Sequence, residues 1–186
     1  MALILIGGGA RSGKSSFAVH RALAAGPSRL FIATARAYDE EMEARIAAHR
    51  AERSDAFRTI EAPVDLHAAL DSAIAERPDA IVIDCLTLWM SNLLLDEQPP
   101  SAILDRALEI GKAATAAPVP ILVVTNEVGM GVVPMSALGR TFRDVAGSAH
   151  QRLSSVADEV WFAVMGLMLR LVPGPLEAVP ASTFRP

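Results

Sequence analysis

Residues 8 to 15 read GGARSGKS, directly after the apolar run ALILI at 2 to 6 and at the head of a helix-like stretch from 14 to 25. The octapeptide satisfies G-x-x-x-x-G-K-[ST] in full, and it lies between a strand and a helix, as the pattern requires. Gly8 and Gly13 permit backbone angles that turn successive N–H groups inward, with Gly9, Ala10, Arg11 and Ser12 between them, while the following helix presents its positive end. Lys14 then supplies a charge to β and γ phosphates, and the Ser15 hydroxyl is offered to a Mg2+ ion. A phosphate-binding loop is expected here, rather than a purely structural glycine turn.

That loop belongs to a repeating pattern. Four compact apolar runs, ALILI at 2 to 6, LFIA at 30 to 33, AIVID at 80 to 84 and ILVVT at 121 to 125, read as buried parallel strands. Helix-like stretches at about 14 to 25, 39 to 54, 64 to 77, 86 to 95, 102 to 116 and 139 to 157 separate or follow them. Alternation of this kind predicts an α/β fold, a P-loop NTPase-like mainly parallel sheet with helices on both faces and ligands at the carboxyl ends of the strands. EVWFAVM and LMLRLV flank Gly166 and predict an antiparallel pair at one edge. With 186 residues, 52% of them hydrophobic and 20% charged, one packed domain is expected, with the Pro-rich tail from 173 to 186 as a C-terminal arm.

Charge and cysteine content narrow the setting. A formal net charge of -4 argues against a general nucleic-acid backbone binder, so an anionic ligand must be held locally. The single cysteine, Cys85, excludes an internal disulfide, and the opening apolar run is too short for a signal peptide or a membrane span, so a cytoplasmic location is expected.

A metal at the P-loop needs an acidic partner. Asp84, at the end of AIVID, is placed to coordinate it; the alternative is that Asp84 caps the helix that follows. Glu127, just past ILVVT, is the competing carboxylate, as a base or an outer-sphere partner, or simply as a loop acid. TNEV at 125 to 128 lacks the Lys and Asp with which switch GTPases read guanine, and DVAG at 144 to 147 reads as helix. Transfer of a phosphoryl or nucleotidyl group to a small acceptor, or ATPase action on a protein partner, remains.

The segment ARIAAHRAER at 44 to 53 raises a different chemistry. On a helix, Met42, Ile46 and His49 share a face, and Arg45 and Arg53 flank the imidazole at four residues on either side. Cationic neighbours disfavour imidazolium, so a ring with an ordinary pKa of about 6.5 stays neutral and nucleophilic near pH 7. Local sequence leaves both readings open: a surface helix histidine, or a nucleophile beside phosphate-binding arginines.

GGARSGKS, IAT followed by DEEMEARIAAHRAER, DCLTLW, TNEVGMGVVP, and LGRTFRDVAG with QRLSSVADEVW together resemble the bifunctional adenosylcobinamide kinase/adenosylcobinamide-phosphate guanylyltransferase family of coenzyme B12 biosynthesis. The blocks run from about 3 to 172 in the family's order. The resemblance implies two reactions in series. The γ-phosphoryl of ATP or GTP passes to the aminopropanol hydroxyl of adenosylcobinamide; GMP from GTP is then attached to that phosphate, giving adenosylcobinamide-GDP and pyrophosphate. It implies a covalent guanylyl-histidine at His49 and a nucleotide site comprising the P-loop, Ala33, Thr34, Ala35, Arg50, Ala51, Glu52, Arg53, Glu61 and Asp84. Ser15 and Asp84 would hold Mg2+, and Glu61 is suited to accept from the N1–H and N2–H groups of guanine.

The chain departs from the family pattern at His150, where Asn is common, and at Ala35, where serine is common. Arg140, Arg143 and Asp144 are candidates for a corrinoid or subunit surface, or for a salt-bridged helix face. The family resemblance further implies a homotrimer. Two rivals stand beside this reading: an enzyme with one of the two activities, and a nucleotide-binding regulator without catalysis, against which the intact Lys14, Ser15, Asp84 and His49 argue, since a sensor would not require the nucleophile.

Overall fold

A computed structural model of the chain describes residues 3–37, 40, 43, 44, 47 and 56–180. Its element order is β1 (Leu3–Gly8), α1 (Lys14–Leu23), β2 (Arg29–Ala33), β3 (Arg58–Glu61), α2 (Leu66–Ala75), β4 (Ala80–Asp84), α3 (Leu86–Leu95), α4 (Pro100–Ala116), β5 (Ile121–Asn126), α5 (Ala137–Ser154), β6 (Glu159–Val164), β7 (Leu167–Val172) and β8 (Glu177–Pro180). The strands form one eight-stranded sheet in the order β3-β2-β4-β5-β1-β6-β7-β8. Pairings from β3 through β6 are parallel, whereas β6 with β7 and β7 with β8 are antiparallel.

The apolar runs are continuous because both faces of the central strands are covered. Successive side chains of a strand point to opposite faces. Leu3, Leu5, Ile81, Ile83, Ile121 and Val123 accordingly enter one core with residues of α2, α3, α4 and α5. Their neighbours Ile4, Ile6, Val82, Leu122 and Val124 enter a second core with Phe17, Ala18 and Ala22 of α1. Each large aliphatic side chain removed from water in this way stabilises the fold by about 1.5–3 kcal/mol. β6, with one protected face, instead alternates buried and half-buried residues along EVWFAV.

Several boundaries differ from the sequence expectation, for identifiable reasons. α4 begins at Pro100 rather than near 102, since proline suits the first helical turn, where its missing N–H is not needed. β3 was not expected: RTIE is short, charged at both ends and lies at the sheet edge, so it has no apolar run. The stretch expected to be only a C-terminal arm supplies β8, which pairs Leu167 to Arg170 with Pro180 to Glu177. Met165 and Gly166, both at positive φ, join Val164 to Leu167 in the two-residue hairpin that such backbone angles favour. The helix expected over 39 to 54, including Met42, Arg45, Ile46, His49, Arg50, Ala51, Glu52 and Arg53, falls for all but four residues outside the described residues.

One tryptophan ties the helices of the larger core to the loop entering α2. Trp89 is fully buried, and its indole N–H donates to the Val64 carbonyl at 2.8 Å. The Arg106 guanidinium covers the ring at 5.5 Å and donates to the same carbonyl at 2.9 Å. Trp89→Ala is expected to lower the unfolding free energy by about 3–5 kcal/mol through the cavity it leaves. Urea denaturation would show this as a reduced midpoint at unchanged slope; an unchanged midpoint would contradict the packing described.

Candidate active site

Strand register brings the candidate residues to one edge of the sheet. Ala33 pairs with both Glu61 and Asp84, Asp84 with Val124, Thr125 with Gly7, and Asn126 with Gly8. Glu61, Ala33, Asp84 and Gly8 therefore sit at the carboxyl ends of parallel strands, the edge at which ligands bind in sheets of this kind.

The loop from β1 to α1 is shaped by two glycines. At Gly8, a Cβ would approach the Ala163 Cβ and carbonyl oxygen at 2.8 Å and the Ser12 hydroxyl at 2.9 Å, so only glycine lets the loop fold against β6. Gly13 is left-handed, with φ of 92°, and caps α1 without a side chain, leaving the first N–H groups of the helix to an external acceptor. Lys14 is buried at 8% exposure and bends back to donate from Nζ to the Gly9 carbonyl at 3.1 Å. The Ser12 hydroxyl is buried without a hydrogen-bond partner among the described residues. A loop with a curled ammonium, an orphaned hydroxyl and a bare helix end is a set of donors in search of an anion.

A cleft of about 490 Å3 lies over the loop. Gly9, Ala10, Arg11, Ser12 and Gly13 form its floor; Glu127 and Met130 face them, and Phe162 to Gly166 close the remaining side.

Next to the loop, the ends of β2 and β4 are stitched by buried polar atoms. The Thr34 hydroxyl donates to the Cys85 carbonyl at 2.7 Å and accepts from the Cys85 N–H at 2.9 Å. Thr34 N–H reaches the Asp84 carbonyl at 3.3 Å, and Asn92 Nδ2 donates to the carbonyls of Thr34 at 2.8 Å and Pro63 at 2.9 Å. Thr34, expected at the nucleotide, thus has its hydroxyl engaged by the backbone of Cys85, the residue after Asp84. The N-cap residue of α3 is Cys85 rather than Asp84, which lies one residue before it. Burial, reinforced by the Asp84 charge, pushes the Cys85 thiol up to about 12, so it is no nucleophile at neutral pH.

A second polar chain runs beneath Glu127. Asn126 N–H donates to the Thr87 hydroxyl at 2.6 Å, which lies 3.0 Å from the Thr125 hydroxyl; Thr125 in turn lies 2.7 Å from His150 Nε2. His150 Nδ1 faces Glu127 Oε2 at 3.5 Å. Burial holds the His150 pKa below its ordinary value, against the pull of the Glu127 carboxylate. Arg140 and Arg143 are turned to the adjacent loop: Arg140 donates to the carbonyls of Pro134 at 3.2 Å and Met135 at 2.8 Å, and Arg143 to that of Gly129 at 3.1 Å. Asn92, Thr87 and Thr125 were not singled out from sequence; the signal was a polar residue inside otherwise apolar runs.

His49 and the Arg50, Ala51, Glu52 and Arg53 that follow it lie outside the described residues, so the edge is described without them.

The comparisons with known proteins agree in one direction. A family model described as cobinamide kinase / cobinamide phosphate guanyltransferase matches residues 4–171. The chain is 44% identical over 172 residues to the bifunctional adenosylcobalamin biosynthesis protein CobP of Pseudomonas aeruginosa, covering 92% of this chain and 98% of that protein. It is 39% identical over 181 residues to the bifunctional adenosylcobalamin biosynthesis protein CobU of Salmonella typhimurium, covering 91% and 99%. Among solved structures it is similar to a KaiC-like protein of Pyrococcus horikoshii, with a TM-score of 0.56 at 15% identity over 96% of this chain and 84% of that one. The RadB recombinase gives 0.56 at 16% over 96% and 86%. These last two likenesses bear on the fold alone, which is P-loop NTPase-like. The chain belongs to the cobinamide kinase / cobinamide phosphate guanyltransferase family, and it is a bifunctional kinase and guanylyltransferase of adenosylcobalamin biosynthesis.

Proposed function

We propose that the chain transfers the γ-phosphoryl of ATP or GTP to the aminopropanol hydroxyl of adenosylcobinamide, and then GMP from GTP to the resulting phosphate through a guanylyl-histidine at His49. The observation that carries this reading is the loop itself: the left-handed Gly13, the uncapped start of α1 and the Lys14 ammonium over Gly9 converge at the strand edge that also carries Asp84 and Glu61. On nucleotide binding, Lys14 exchanges the Gly9 carbonyl for phosphate oxygens. The N–H groups of Gly9 to Lys14 line the chain of phosphates, and Glu61 accepts from guanine.

The donor set suits Mg2+. Ser15 offers a hydroxyl and Asp84 a carboxylate, both hard oxygen ligands, and no group of three or more His, Cys, Asp or Glu side chains occurs among the described residues to form an all-protein cage. Such a site relies on nucleotide phosphates and water for its other ligands. A Mg2+ bound there would neutralise charge on the transferring group.

In the second reaction, a neutral imidazole nitrogen of His49 attacks the α-phosphorus and pyrophosphate leaves. A phosphate oxygen of the cobinamide phosphate then displaces the histidine, the N–P bond breaks, and adenosylcobinamide-GDP is released. Splitting the substitution in two avoids bringing two anionic substrates together in one step. We further infer a homotrimer, for which the exposed Met130, Val132, Val133 and Met135 offer apolar surface to cover.

Incubation with GTP labelled at the α-phosphate, followed by denaturing electrophoresis, tests the covalent step. Wild type should retain acid-labile, alkali-stable label; His49→Ala should lose the label while still phosphorylating adenosylcobinamide; and Lys14→Ala should lose both activities. Glu61→Gln should label markedly less at limiting GTP. An active wild type that never labels would refute the intermediate, and unchanged labelling in Glu61→Gln would refute its role with guanine. For the assembly, sedimentation equilibrium should return three times the chain mass of 19.7 kDa, and a monomer would contradict the trimer.

A further inference from the structure

The kinase reaction contains a step that none of the residues assigned so far performs. The attacking aminopropanol hydroxyl must lose its proton as its oxygen bonds to the γ-phosphorus. A carboxylate in the cleft over the P-loop can orient that hydroxyl and take its proton. Among the described residues one carboxylate lines that cleft, Glu127. Its backbone N–H donates to the Gly8 carbonyl at 3.0 Å, which fixes its Cα against the first residue of the loop.

One carboxylate oxygen is tied down and the other is flanked by a histidine. Oε1 accepts from the Gly129 N–H at 2.6 Å, a bond that a side chain at 129 would crowd, since a Cβ there would fall 2.8 Å from that oxygen. Oε2 faces His150 Nδ1 at 3.5 Å. Thr87 accepts from the Asn126 N–H and lies against the Thr125 hydroxyl, which is 2.7 Å from His150 Nε2. The carboxylate beside Nδ1 favours the ring proton on that nitrogen, with Nε2 then accepting from Thr125. The opposite sense would set a nitrogen lone pair against a carboxylate oxygen. Burial, which disfavours the imidazolium, keeps this a neutral donor. Of the cationic side chains nearby, Arg143 donates to a loop carbonyl and Lys14 to the P-loop carbonyl, while Arg11 lines the same cleft.

From this geometry we infer that Glu127 is the general base of the phosphoryl transfer and that His150 is its positioning residue. The hydroxyl oxygen forms the new O–P bond, the bond from the γ-phosphorus to the bridging oxygen breaks with its electron pair leaving on the nucleoside diphosphate, and the hydroxyl proton passes to Glu127. Guanylyl transfer makes no such demand, because its acceptor is a phosphate already ionised at neutral pH. The inference rests on the kinase reading above and separates the two activities within one cleft.

The test measures both reactions in the full-length enzyme: phosphorylation of adenosylcobinamide, and GMP transfer to adenosylcobinamide phosphate supplied ready-made. Glu127→Gln should lower kcat for phosphorylation by about 100-fold or more, within the usual range for loss of a general base. The ratio of phosphorylation to GMP transfer should fall by at least about 30-fold, and Glu127→Asp should recover part of the loss. His150→Leu should lower the phosphorylation kcat by about tenfold with KM nearly unchanged, as expected of a displaced catalytic group, and His150→Asn should restore it. Equal loss of both reactions in Glu127→Gln would overturn the inference, as would full kinase activity in that variant or failure of His150→Asn to outperform His150→Leu. A wild type that transfers GMP but never phosphorylates would instead refute the kinase reading itself. Should Glu127→Gln not fold, the two His150 variants decide.

Discussion

Parallel pairing of β2, β4, β5 and β1 in a single register is the constraint from which the rest follows. It brings the carboxyl ends of the four strands to one edge, with Ala33 level with Asp84 and, two residues further along, Asn126 level with Gly8. Alternation of Leu, Ile and Val between two cores holds that register, because a slip of one residue would exchange every buried side chain between faces. The chemistry at the edge is therefore positioned by hydrocarbon packing several residues below it.

At the edge itself packing gives way to hydrogen bonding. Backbone leaving a sheet exposes N–H and C=O groups that helices have not yet taken up, and burying them without partners is costly. Thr34 and Asn92 satisfy those groups between β2 and β4, while Thr87, Thr125 and His150 link α3, β5 and α5. The same atoms that resolve a folding problem thus fix Asp84 on one side and Glu127 on the other. Between them, the P-loop offers donors to a ligand: a Ser12 hydroxyl without a partner among the described residues, and a helix start with no side-chain cap.

Much of this was legible in the sequence because it depends on local pattern. The four apolar runs located the central strands, GGARSGKS located the loop, and the flanks of Gly166 located the hairpin. What was missed depends on partners distant in the chain. RTIE became a strand only because β2 offered an edge, and Glu177–Pro180 only because β7 did. That the N-cap of α3 is Cys85, one residue past Asp84, required knowing where the helix starts. His150 was visible only as a departure from a pattern; its contact with Thr125 spans 25 residues and its significance needed Glu127 beside it. His49, whose role the family resemblance carries, belongs to a stretch outside the described residues, so its standing still rests on sequence.

The central claim is that one nucleotide site at this strand edge serves both reactions, with the γ-phosphorus reacting in the first and the α-phosphorus in the second. Titration calorimetry with a GTP analogue that cannot be cleaved at either position tests it most directly, with Mg2+ present. The account predicts one analogue bound per chain, displaced competitively by ATP and abolished by Lys14→Ala. Two independent nucleotide sites per chain, or undiminished binding in a folded Lys14→Ala protein, would contradict it.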